Sequence, residues 1–349
     1  MRISPGYLPD PQTEYEAKAV EFCRDWLSGQ ATFTLQTSGS TGTPKLIRLS
    51  RRQMAASARL TGQTFGLQPG DRALVCLNVG YIAGVMMLVR GLELGLTLTV
   101  VEPASNPFQT LNPDIPAFEF AAFVPLQLQT LLDTPKQSLP VLNRMKAILV
   151  GGAAVDRGLA NRLQIIESPV FSTYGMTETV SHIAIRRLNG PEHSEVFRAL
   201  DGVELGVDER HCLNIKAAAT DFETVQTNDV VELLDSQHFR LLGRADFIIN
   251  SGGVKIQPER VEEVIAKLLA GPQRFFVYGL PDERLGQQVA LFIEAENDWP
   301  ETVAQAIKNR VRAEIGPYAV PRSIFFMSSF PKTPTGKIDK KRVVEGHIR

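Results

Sequence analysis

From about residue 70 to residue 150 the sequence alternates between apolar runs of four to six residues and segments of helical length. Ala73 to Leu77, Leu96 to Val101, Ala121 to Val124 and Ala147 to Val150 read as strands, and Ile82 to Leu94 reads as a buried helix between the first two. Such alternation argues for a mostly parallel sheet covered by helices, whose ligands collect at the carboxyl ends of the strands. Three loops lie where that rule would place a ligand. They are the stretch Thr37 to Lys45, the run Gly151-Gly152-Ala153-Ala154, and Thr173-Tyr174-Gly175.

Upstream, Tyr15, Ala19, Phe22 and Trp26 recur at helical spacing over residues 13–27, with Gly29 just beyond. Ser50 followed by Gln53 has the pattern of a capping box and opens a helix expected to end near Gly66. After residue 200 the pattern changes. Val230 to Leu234 and Phe239 to Leu242 read as a hairpin through Asp235–His238, and a compact α+β pattern follows Asp246. Its first helix begins at Pro258 and is expected to carry Val261, Val264, Ile265, Leu268 and Leu269 on one face. Strands follow at Phe275–Tyr278, Val289–Glu294 and Ile324–Met327, with a helix over about Glu301–Ile315. The expected fold is α/β: a large N-terminal α/β domain of layered, mostly parallel sheets over residues 1–245. A small, mobile C-terminal α+β domain is expected over 246–349.

Bulk properties exclude several classes. A net charge of −1 gives nothing that favours nucleic acid or an acidic membrane as a partner. The longest apolar run, Tyr81 to Val89, is too short to span a bilayer. Cys23, Cys76 and Cys212 are too few and too scattered for a disulfide framework or a zinc pattern, which points to a reducing, cytoplasmic setting. Assembly into a homo-oligomer is compatible with the sequence, which carries no motif that specifies one.

The stretch Thr37-Ser38-Gly39-Ser40-Thr41-Gly42-Thr43-Pro44-Lys45 combines close-approach glycines, hydroxyl donors and a lysine, as a polyphosphate cradle requires. It also suits a plain polar turn. It is not a Walker A loop, because Leu46 rather than a hydroxyl residue follows the lysine. Four further stretches share its character: Tyr174-Gly175-Met176-Thr177-Glu178, Thr227-Asn228-Asp229, Gly243-Arg244-Ala245-Asp246, and Pro331-Lys332-Thr333-Pro334-Thr335-Gly336-Lys337.

In this order and spacing the five resemble the adenylate-forming superfamily of acyl-CoA ligases, luciferases and peptide-synthetase adenylation domains, over residues 37–337. Within it, Tyr81-Ile82-Ala83-Gly84 and the run from Tyr174 to Ile183 are most similar to the o-succinylbenzoate–CoA ligases of menaquinone synthesis. The resemblance implies ATP, Mg²⁺ and a carboxylic acid as reactants, an acyl-adenylate intermediate, and CoA as acceptor. It implies that Lys337 bridges carboxylate and α-phosphate, and that Thr177 contacts the α-phosphate. Glu178 would ligate Mg²⁺. Thr37, Ser38, Gly39, Ser40, Thr41, Gly42 and Lys45 would hold the leaving phosphates. Tyr174 and Gly175, with Gly152, Ala153 and Ala154 opposite, would enclose adenine. Asp229 would bind the ribose hydroxyls, with Arg244 close by. Asp246 would be the hinge, Ser251, Gly252 and Gly253 would reach the thiol channel, and Tyr81, Ser181 and His182 would line the acid pocket.

Simpler roles stand beside these. Lys337 alone would be a solvated lysine, Glu178 a first-turn acid of a helix, Asp229 a turn former, and Arg244 with Asp246 a local ion pair. His182 suits a strand interior as well as a substrate pocket. Arg90, at the end of an apolar segment, suits either a substrate carboxylate or a structural ion pair. Only 36 residues precede the glycine-rich stretch, where relatives carry a much longer segment, so one wall of the acid pocket is expected to be altered or supplied by a partner. Loading of a carrier protein in place of CoA, and a non-catalytic nucleotide-binding relative, are the alternative functions.

Overall fold

The computed structural model of the chain describes residues 1–36, 46–111, 117–269, 273–332 and 338–347. The glycine-rich stretch Thr37–Lys45 and Thr333–Lys337, including the phosphate-binding Lys45 and the catalytic Lys337 expected from the resemblance, lie outside the described residues.

The chain divides into two compact units. One comprises residues 1–205, 215–225 and 234–239, the other 206–214, 226–233 and 240–349. The first unit opens with β1 (Arg2–Ile3), α1 (Glu14–Leu27), β2 (Thr32–Gln36), β3 (Leu46–Ser50) and α2 (Arg51–Phe65). The capping box forms as expected: the Ser50 side chain accepts from Gln53 N–H, and the Gln53 side chain accepts from Ser50 N–H. Gly66 closes α2 in the left-handed conformation. Next come β4 (Arg72–Val75), α3 (Ile82–Leu94), β5 (Thr97–Val100), β6 (Phe120–Phe123), α4 (Pro125–Asp133) and α5 (Pro135–Leu142). They are followed by β7 (Ala147–Val150), α6 (Arg157–Arg162), β8 (Val170–Gly175), β9 (His182–Arg187) and β10 (Phe197–Ala199).

These strands lie in the order β1-β5-β4-β6-β7-β8-β9-β10. The run β5-β4-β6-β7-β8 is parallel, and antiparallel strands flank it. Side chains alternate between two cores, as a period of two requires. Leu74, Ala121, Phe123, Ile148 and Val150 enter one core, with Leu128, Leu131 and Leu159 from the helices on that face. Ala73, Val75, Phe120, Ala147 and Leu149 enter the other, with Ala19, Met87 and Leu88. Burial on both faces is why the strands read as unbroken apolar runs.

Strands β11 (Glu204–Val207), β12 (Cys212–Lys216), β13 (Val225–Leu233) and β14 (His238–Arg244) belong partly to each unit. The second unit continues with β15 (Ile249–Ser251), β16 (Val254–Ile256), α7 (Pro258–Ala266), β17 (Phe275–Asp282) and β18 (Gly286–Glu294). It ends with α8 (Glu301–Glu314), β19 (Ser323–Met327) and α9 (Lys340–Glu345). Strands β17 and β18 form an antiparallel hairpin and β19 joins β18 in parallel. Alternation again supplies two faces. Val277, Leu291 and Ile293 pack with α7 and α8 residues, whereas Phe276, Phe292 and Phe330 pack with Val343 and Val344 of α9.

Two expectations need correction. Helix α7 ends at Ala266, so Leu268 lies beyond it and is exposed rather than on the buried face. Thr173, Tyr174 and Gly175 do not follow a strand; they are its last three residues.

Candidate functional site

In the first unit the site is built where β8 ends and β9 begins. A side chain at Gly175 would place its Cβ 2.2 Å from the Ser181 carbonyl oxygen and 2.6 Å from His182 Cα, so only glycine fits. The β8–β9 register shifts at this point, with Tyr174 opposite Ala184 and Gly175 opposite His182. Tyr174 is buried, its ring edge-on to Phe239 at 5.2 Å and tilted against Phe197 at 5.8 Å.

The intervening turn is knotted by Thr179. Its Oγ1 accepts the Met176 amide at 3.0 Å and lies 2.8 Å from the Ser181 carbonyl. Val180 then takes φ +66 and ψ −55, and the Ser181 amide donates to the Thr179 carbonyl at 2.7 Å. This is a γ-turn of the rare, strained hand, centred on a β-branched residue. Its effect is to present Thr177 buried, Glu178 exposed, and Ser181 and His182 turned inward. Glu178 forms no ion pair among the described residues, so its oxygens are free to serve a hard cation.

Arg90 of α3 meets that turn from below. It is 2% exposed, yet no carboxylate pairs with it among the described residues. Its Nε donates to Thr61 Oγ1 at 3.2 Å and its Nη2 to Ser181 Oγ at 2.7 Å, while His182 Nδ1 lies 3.5 Å away. A structural ion pair, the alternative raised by the sequence, is absent there. Burial pulls the Arg90 guanidinium down to about 10, still charged at neutral pH. Burial, and then the charge of Arg90, hold His182 well below the ordinary histidine range, so its ring is neutral. Its Nε2 is buried without a hydrogen-bond partner among the described residues. Phe65 lies 6.2 Å from the imidazole and 5.2 Å from Phe171, giving the cluster an aromatic side.

Nearby backbone is equally tight. A Cβ at Gly151 would stand 2.7 Å from Thr173 Oγ1, and Gly152 has φ +83, with Ala153 and Ala154 exposed beside it. Tyr81 caps α3, and a Cβ at Gly84 would meet the Asn78 carbonyl oxygen at 2.4 Å.

The second unit holds the remaining residues. Arg244 donates from Nη1 to Asp229 at 3.1 Å and from Nη2 to Asp246 at 2.6 Å, so one guanidinium joins the three positions singled out in sequence. Asp229 is buried in β13, its amide held by Thr227 Oγ1 at 3.0 Å. Ser251, Gly252 and Gly253 form the tight turn between β15 and β16. Gly252 at φ +58 and Gly253 at φ +82 suit a two-residue hairpin. Ser251 Oγ is buried without a hydrogen-bond partner among the described residues.

The sequence missed Thr61 as a partner of Arg90, Phe65 and Phe171 as the aromatic side beside His182, and Val180 as the residue that turns the chain. A single arginine inside an apolar helical segment was the one available signal.

Comparison with known proteins identifies the family. Residues 11–211 match the AMP-binding enzyme family, and residues 260–337 match the AMP-binding enzyme C-terminal domain. The 2-succinylbenzoate–CoA ligase of Lactococcus lactis is 26% identical, over 98% of this chain and 80% of its own length. An acyl-CoA synthetase (AMP-forming)/AMP-acid ligase II-like protein of known structure from Dyadobacter fermentans is 46% identical, covers 99% of both chains and superposes with a TM-score of 0.67. The o-succinylbenzoate coenzyme A synthetase of Bacillus subtilis, solved with ATP and magnesium ion, shares the fold at a TM-score of 0.72. It is 20% identical, over 89% of this chain and 69% of its own. The chain belongs to the AMP-binding enzyme family.

Proposed function

We propose that the protein is an AMP-forming acid–CoA ligase whose acid carries a second, anionic group, as o-succinylbenzoate does. The observation that supports the acid is Arg90: a buried guanidinium with no acidic partner among the described residues, beside a neutral histidine and a serine hydroxyl. Such a charge is costly unless something pairs with it, and a substrate carboxylate is the natural partner. The neutral His182 Nε2 supplies a further polar contact, and Phe65 and Phe171 supply flat apolar surface for an aryl ring.

In the first half-reaction a carboxylate oxygen of the acid attacks the α-phosphorus of ATP, and the bond to the departing pyrophosphate breaks. Both partners are anionic, so cations must converge on the new bond. Lys337 would bridge carboxylate and α-phosphate, with Thr177 on the same phosphate. Lys45 and the hydroxyls of Ser38, Ser40 and Thr41 would hold the pyrophosphate. Glu178 would hold Mg²⁺, which neutralises phosphate charge when bound. Asp229 would accept from the ribose hydroxyls, and Arg244 would lie by the ribose and α-phosphate. In the second half-reaction the CoA thiolate attacks the acyl carbon and AMP leaves. Rotation about Asp246 between the half-reactions would withdraw Lys337 and bring the turn Ser251–Gly253 to the thiol.

Pyrophosphate release over a panel of acids tests this. Turnover with o-succinylbenzoate is expected. Success with other acids alone would keep the chemistry and discard the acid; no turnover with any acid would overturn the assignment.

A further inference from the structure

The strand that delivers Arg244 is seated on the start of α7. At Gly243, φ is +149, and a Cβ there would stand 2.3 Å from Glu259 Oε2 and 2.7 Å from Gln257 Oε1. Two side-chain oxygens, one from Glu259 of α7 and one from Gln257 just before it, therefore occupy the volume that a side chain at 243 would need. Both are buried, and neither has a hydrogen-bond partner among the described residues. An ionised carboxylate only accepts hydrogen bonds, so the buried Gln257 oxygen in the same volume offers it no partner, while burial removes its hydration. A neutral Glu259 carries a donor that the ionised form lacks.

The surroundings favour that proton. Burial raises the Glu259 carboxyl most strongly, and Glu262 one turn on adds to it. The Glu259 amide, Lys340 of α9 and the Arg244 amide act in the opposite direction. Lys340 is largely engaged elsewhere. Its Nζ lies 3.3 Å from Glu262 and sits over the Phe247 and Phe276 rings. The Arg244 guanidinium faces Asp229 and Asp246.

We propose that Glu259 is a positioning residue for Arg244. In its neutral form it closes, with Gln257, a seat that admits only the bare backbone of Gly243, and so fixes where β14 delivers the arginine. This rests on the assignment of Arg244 to the ribose and α-phosphate. Ionisation of Glu259 would open the seat and loosen the nucleotide without touching it.

The test compares wild type, E259Q, E259A, R244A and the double variant E259A/R244A. ATP-dependent pyrophosphate exchange is measured across pH, together with AMP binding and thermal melting. E259A is expected to raise KM for ATP about tenfold with a smaller change in kcat, and to add no further loss in the R244A background. E259Q, which keeps a donor, is expected to stay within about twofold of wild type. In wild type, KM for ATP should rise as pH climbs through the raised value of the Glu259 carboxyl, and E259Q should abolish that slope. Additive losses in the double variant overturn the proposal. So does a lower melting temperature of E259A with unchanged KM, or a wild-type profile without the slope. If wild type shows no exchange with any acid, the proposed function fails instead. AMP binding by the same variants then decides the seat on its own.

Discussion

Replacing Arg90 with methionine separates what this residue does for the fold from what it does for the acid. Burial pulls the guanidinium down from its ordinary range to about 10. At about 1.4 kcal/mol per unit this corresponds to a cost of roughly 3 kcal/mol for keeping the charge inside. Its hydrogen bonds to Thr61 and Ser181 offset that by about 1.5–3 kcal/mol each. The hydrogen bonds together match that cost at the low end of this range and exceed it by about 3 kcal/mol at the high end, and methionine is flexible enough to fill the space. R90M should therefore lose no more than about 3 kcal/mol of stability. Catalysis should respond very differently. Removing one member of a buried charge pair costs about 2–5 kcal/mol, so kcat/KM for o-succinylbenzoate should fall by about 30-fold to several thousand-fold. A monocarboxylic analogue should lose less than about threefold, because it has no second carboxylate to lose contact with. Pyrophosphate release with the two acids, alongside a melting curve, is the assay. Equal losses on both acids would refute the reasoning, as would a melting transition lowered well beyond the stated margin.

Other outcomes follow from the same turn. G175A would drive a Cβ into the Ser181 carbonyl and the His182 backbone, so it should cost about 3 kcal/mol or more in urea unfolding and abolish adenylation. His182 is held neutral in the fold, whereas unfolded histidine protonates near 6.5. Its contribution to stability is therefore complete above about pH 6.5 and is lost by up to about 1.4 kcal/mol per pH unit below it. H182N should flatten that part of the stability profile, and a profile identical to wild type would count against the buried neutral ring. G243A should fail to seat β14, because both its φ of +149 and the contact with Glu259 forbid a side chain. The expected reading is loss of AMP binding in a titration, and normal binding would remove the case for a tight seat.

Much of the scaffold was legible because its causes are local. Helix α1 follows from a spacing, α2 from Ser50, Gln53 and Gly66, and the parallel strands from apolar runs buried on both faces. The family was legible from five short stretches whose residue types suit phosphate, ribose and carboxylate. What escaped the sequence is set by tertiary contact. Nothing near Val180 announces a left-handed residue, since valine disfavours that conformation and local preference points the other way. Leu268 and Leu269 extended the period of α7, but the helix ends at Ala266. Nor could spacing reveal that Arg90 meets Ser181 ninety-one residues later, or that Gly243 fits against Gln257 and Glu259. Both depend on how elements dock.

With Ser181 and His182 in the proposed acid pocket, the turn at Val180 would tie substrate choice to the apolar interior behind it. Val180 is fully buried in the cluster formed by Trp26, Phe33, Met54, Val85, Val89 and Ala219. Those neighbours hold its backbone in a conformation it would not choose, and the direction of Ser181 and His182 depends on them. On that proposal, volume changes at Trp26 or Met54, early in the chain and well inside it, would alter acid preference. A lineage of such proteins could drift in specificity through its interior while every residue lining the pocket stayed the same.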